Sequence, residues 1–122
     1  MADDVAQVEA IAWGASRPGV SVGAVYAAIV DGYANLGHPR AEMFHHQGGT
    51  TGYLSRELVG LPGMETPIES NTALAWNPSL PGSKIEDTVV TTSTGIEVLT
   101  IDPAWPAVEV DDLPRPDVLV RT

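Results

Sequence analysis

The chain has 122 residues, the length of one domain that hides about two thirds of the surface its unfolded form exposes. It lacks cysteine, which excludes disulfide staples, thiolate metal sites and a cysteine nucleophile. Six Lys and Arg against 16 Asp and Glu leave a formal net charge of -10, so long-range repulsion opposes nucleic acid and anionic membrane surfaces.

The opening Met1-Ala2-Asp3-Asp4 is acidic and no long apolar run follows it, so the expectation is a cytoplasmic protein without signal peptide or membrane span. Val5, Val8, Ile11 and Ala12 recur at helical spacing behind Asp3 or Asp4 as cap, until Arg17-Pro18-Gly19 breaks the pattern. A second helix is predicted from the N-cap Ser21 along the stripe Val22, Val25, Ile29, Tyr33 and Leu36, with Gly37 as its stop. Beyond Pro39 strand and turn signals take over. Residues 42–46 and 50–54 read as short strands on either side of a tight glycine turn, and residues 71–76 and 84–91 bracket a hairpin at 78–82. A further strand, 95–101, follows the polar run Thr91-Thr92-Ser93-Thr94. From Asp102 onward, prolines at 103, 106, 114 and 116 predict an extended tail with no regular element before residues 118–120. The expected architecture is α+β, two N-terminal helices packed on a mostly antiparallel sheet, with a domain at 1–101 and a Pro/Asp-rich extension at 102–122.

Chemistry is concentrated near the histidines. His45 and His46 are adjacent, so a strand would aim them at opposite faces and only one would serve a metal, with Glu57, Glu65, Glu69 or Glu86 as hard partners that no spacing brings together. The favoured reading of the pair is structural or substrate-facing, with a half-buried imidazole satisfied by backbone groups. Gly48-Gly49 lacks the Gly-Lys-Ser/Thr and the helix start of a phosphate loop, and neither Ser55 nor Ser93 sits in a nucleophile elbow. Trp76 reads either as a cap on the core edge or as a wall of a binding pocket. Arg56 is either a solvated partner of Glu57 or a fork for a carboxylate ligand.

These segments together resemble the pita-bread metallopeptidases, the family of aminopeptidase P, prolidase and creatinase. The resemblance runs from Ser16-Arg17-Pro18-Gly19-Val20 through the stretch from His45 to Tyr53. It ends at Lys84-Ile85-Glu86-Asp87-Thr88 and Gly95-Ile96-Glu97-Val98-Leu99-Thr100. It implies the C-terminal half of the catalytic domain of that fold. In the family two metal ions, held by two aspartates, a histidine and two glutamates, activate a bridging water. The resemblance places the aspartates ahead of this chain, Gly49 at the histidine, Asn77 of Asn77-Pro78 at the first glutamate and Glu86 at the second; another register puts His46 at the ligand position.

The expectation is therefore a pseudoenzyme-like part of a Xaa-Pro peptidase or creatinase-family protein. It would bind no metal cofactor, and a small molecule or peptide would lie against His45, Arg56 and Trp76. The alternative is a fragment of an active Xaa-Pro metallopeptidase using Mn, Co or Zn, with Glu86 and His46 among the ligands. Half of a two-part fold leaves an apolar seam, which predicts a homodimer or larger complex.

Overall fold

The computed structural model describes residues 2–52, 54 and 56–117. Helix α1 (Ala2–Ala15) starts ahead of Asp3 and Asp4, so both carboxylates lie in its first turn, where they complement the helix dipole instead of capping. Helix α2 (Val22–Asn35) follows the predicted stripe, and Val22, Val25, Ile29 and Tyr33 are buried. The Ser21 hydroxyl accepts the Ala24 amide at 3.1 Å, while the Val22 and Gly23 amides donate to Thr66 and Met64 carbonyls at 2.8 Å each. The loop at 64–68 thus satisfies the start of α2, a role invisible in its sequence. At the other end Gly37 takes φ 90 and the His38 amide returns to the Tyr33 carbonyl at 2.8 Å, closing the helix.

The expected strand at 42–46 is instead a 3-10 turn, Ala41–Phe44. Arg40 at φ 69 swings the chain round after Pro39 before any sheet neighbour is within reach, and Met43 and Phe44 end up 74% and 78% exposed. The glycine pair is not a turn either. Gly48 and Gly49 open strand β1 (Gly48–Thr51), which pairs with β2 (Leu58–Val59) on one side and β3 (Ala73–Trp76) on the other. Next come the short hairpin β4 (Ser79–Leu80) and β5 (Ser83–Lys84), turned by Pro81 and Gly82 at φ 83, then β6 (Asp87–Thr91) and β7 (Ile96–Val98). The main sheet runs β2-β1-β3-β6-β7 and every pair in it is antiparallel.

Register fixes the two faces. Leu74 lies opposite Val89, and Val89 opposite Val98; this row packs on Val5, Val8, Val25 and Ile29 of the helices. The tail also departs from expectation. Asp111 and Asp112 take φ 50 and 66, the double positive φ of a two-residue hairpin turn, and join β8 (Ala107–Val110) to β9 (Leu113–Pro116). Pro114 and Pro116 are tolerated because β9 has a partner on one side only. The predicted element at 118–120 lies outside the described residues.

A Cβ on Gly49 would stand 1.8 Å from the Leu58 carbonyl oxygen, so the β1–β2 approach admits only glycine there. Gly49→Ala is expected to destabilise the protein by about 2–4 kcal/mol in urea denaturation.

Candidate ligand-binding site

The segment between the 3-10 turn and β1 is held from below. Tyr33, fully buried on α2, donates its hydroxyl hydrogen to Gln47 Oε1 at 2.7 Å and accepts the Ser79 amide at 2.8 Å. Gln47 in turn donates Nε2 to the His45 carbonyl at 2.9 Å, and Asn77 Nδ2 donates to the His46 carbonyl at 3.3 Å. Burial pushes the Tyr33 hydroxyl up to about 12, with the Ser79 backbone bond opposing and Glu42 adding to the rise. It is a neutral phenol at every ordinary pH.

On this support His45, His46, Arg56 and Glu86 come together, joined by Lys84. His45 Nδ1 faces the His46 carbonyl, which can only accept, so Nδ1 carries the hydrogen and Nε2 accepts from the Ser79 hydroxyl. Both His45 nitrogens are therefore engaged within the protein. Arg56 pairs with Glu86 and not with Glu57, whose Oε1 accepts the Leu54 amide at 3.0 Å. His46 is exposed at the centre. Its protonation is disfavoured first by loss of water and then by Arg56, His45 and Lys84, with Glu86 opposing. Around one ring the chain thus gathers two of its six Lys and Arg and another of its three histidines.

Trp76 does not belong to this group. Strand alternation turns it to the helix face beside Leu74, where it is fully buried and its Nε1 donates to Ser16 Oγ at 2.9 Å. The pocket-wall reading is corrected to core. Glu57 and Glu69 line a shallow cavity with Thr50, Thr51 and Asn71, apart from the histidines. Among the described residues no three His, Asp or Glu side chains are placed to hold one metal ion. Lys84, Ser79, Gln47 and Tyr33 were not singled out for the site from sequence. The available signal was a phenol, not an aliphatic residue, near the C-terminal end of an apolar helical stripe.

On the reverse side of the sheet lies a second ionisable cluster. Asp87 follows Glu86 directly but points to the helices, accepting Thr100 Oγ1 at 2.8 Å and Arg115 Nη2 at 3.4 Å. Arg115 Nε also donates to Glu9 Oε1 at 3.1 Å, tying the C-terminal hairpin to α1. Glu9 is fully buried, and its carboxyl is pushed up to about 8 by burial first and by Asp87 second, against the pull of Arg115.

No protein-family profile matches the chain. A curated relative, the agropine synthesis cyclase of Rhizobium rhizogenes, is 34% identical over a 104-position alignment that covers 80% of this chain and 26% of the relative. The dipeptidase PepE of Mycobacterium ulcerans superposes with a TM-score of 0.69 at 28% identity, over 83% of this chain and 29% of that one. A Xaa-Pro dipeptidase from Bacillus anthracis gives 0.67 at 24% identity, covering 83% and 30%. The prolidase from Pyrococcus furiosus gives 0.69 at 20% identity, covering 83% and 32%. The architecture is that of part of the pita-bread fold, two helices on a mostly antiparallel sheet, and its structural neighbours include Xaa-Pro dipeptidases and prolidases as well as the N-terminal domain of the FACT complex subunit SPT16 from chickpea. The chain spans about a quarter of the curated relative and under a third of each of these structures. No helix of the described residues is long and apolar enough to cross a membrane.

The Glu9 shift sets a pH prediction. The folded state keeps a proton that the unfolded state releases near the ordinary carboxyl value of 4.5. Stability is therefore fully present below about 4.5, falls as pH rises toward about 8 and levels off above it. Urea denaturation across that window is expected to show this decline, and Glu9→Gln to flatten it.

Proposed function

We propose that this chain is the ligand-binding part of a Xaa-Pro-peptidase-like protein, that it works without the paired metal ions of that family, and that its ligand carries a carboxylate. The observation that carries this reading is the convergence of Arg56, Lys84 and two histidines on one surface of a chain whose net charge is -10. A carboxylate would exchange with Glu86 at the Arg56 guanidinium, whose planar fork suits it, while the exposed His46 contributes a neutral imidazole.

The side chains do not suit a dinuclear metal centre. Of the positions that the family resemblance assigns to ligands, Gly49 offers none, and a histidine there would collide with the β2 backbone. Asn77 replaces a carboxylate, and its Nδ2 is committed to the His46 carbonyl. Glu86 is neutralised by Arg56, and the cations around His46 repel a divalent ion. The relative at 34% identity is named as a cyclase, which supports a small molecule as ligand ahead of a long peptide.

Titration calorimetry with the dipeptide Ala-Pro and with its C-terminal amide tests the reading. The free carboxylate is expected to bind about tenfold more tightly than the amide, and Arg56→Met to abolish that difference. Saturable binding of manganese, cobalt or zinc at about micromolar affinity, lost on Glu86→Gln or His46→Ala, would instead establish the metallopeptidase alternative.

A further inference from the structure

On a different face, between α2 and the 3-10 turn, lies a groove of about 460 Å³. Ala27, Val30, Met43 and Pro62 form its apolar wall, and Tyr26 adds an aromatic ring. Glu42 is part of this wall and is only 8% exposed. Its Oε2 has no hydrogen-bond partner among the described residues, and none of their ion pairs includes Glu42. A carboxylate oxygen shut off from water without a partner is costly, so this position favours a cationic donor. Asp31 adds a second carboxylate to the lining.

We propose that this groove binds an organic cation, an ammonium or guanidinium group on a short apolar body, with Glu42 as its counter-ion. The observations select this class against others. An anion would meet Glu42 and Asp31 in a chain of net charge -10. A neutral apolar ligand would leave the Glu42 oxygen as unpaired as before. A strongly hydrated metal ion gains nothing from a wall of Ala27, Val30 and Met43. An alkylammonium uses both parts, since its chain covers the wall while its head pairs with Glu42 and faces the Tyr26 ring. Burial and then Glu42 raise the Tyr26 hydroxyl above its ordinary value, so it remains a neutral donor or acceptor for the ligand head. Arg40 also lines the groove and is the internal rival for Glu42. No residue of the groove belongs to the His46 cluster, so the two sites stand or fall separately.

The test is an NMR titration of the whole chain, following the methyl signals of Ala27, Val30 and Met43. The probes are hexylammonium chloride, hexanol of matching length, and N-acetyl-lysine amide. Hexylammonium is expected to shift these methyls with an affinity about tenfold better than hexanol, and Glu42→Gln to remove that advantage while leaving the methyl spectrum folded. Equal or tighter binding of the lysine amide would mark a peptide side chain as the source, and weaker binding a free amine; either supports the site. Equal affinities for hexylammonium and hexanol would overturn the proposal. So would amine binding that emerges only in Arg40→Gln, because Arg40 would then be the counter-ion of Glu42.

Discussion

The buried hydroxyl of Tyr33 is the interaction on which the candidate site rests. It links the helix layer to the β1 entry and to the start of the β4 hairpin, donating to Gln47 while accepting from Ser79. An aliphatic side chain in its place would pack as well but would leave a buried glutamine oxygen and a backbone amide unpaired, each costing about 1–3 kcal/mol. Gln47 then fixes His45, and Ser79 engages the far nitrogen of the same ring. The geometry of the histidine pair is thus set from a helix that never reaches the surface it organises.

The start of strand β6 divides the electrostatics of the protein between two faces, with Glu86 just ahead of the strand and Asp87 its first residue. Glu86 looks out and meets Arg56, whereas Asp87, one residue on, looks in and meets Arg115. With six Lys and Arg against 16 acids, each cation placed against a carboxylate is a local exception to a repulsive field. The inner cluster holds two carboxyl groups and one guanidinium, and the proton retained by Glu9 balances it. The same cluster is what fastens the C-terminal hairpin to α1, since Arg115 is its donor to both carboxylates.

Similarity to dipeptidases over part of their length describes the scaffold, and a scaffold hosts many chemistries. On this sheet surface a glycine is pinned against the β2 backbone, the Asn77 amide is bound to a carbonyl and the Glu86 carboxylate is paired with Arg56. The anion-binding role proposed above rests on these three features together with the cations around His46.

Local chemistry was legible and non-local chemistry was not. Ser21, the 22-25-29-33 stripe and Gly37 announce α2 because caps and helical spacing act within a few residues. The antiparallel sheet likewise followed from strand signals, and the blocks around His45 and Glu86 carried the resemblance to the pita-bread fold. The sequence by itself therefore determined the helix pair and the α+β class, and it singled out His45, His46, Arg56 and Glu86 as candidates without showing that they meet. Tertiary structure alone decided that Trp76 faces inward, that Arg56 chooses Glu86 over its neighbour Glu57, that residues 41–44 turn instead of pairing, and that the proline-rich tail closes into a hairpin on Glu9. The turn at 41–44 follows from the backbone at Arg40, and the other three share one physical reason. Which face a strand buries and which charge a side chain meets depend on partners 30 to 106 residues away, and no local pattern encodes them.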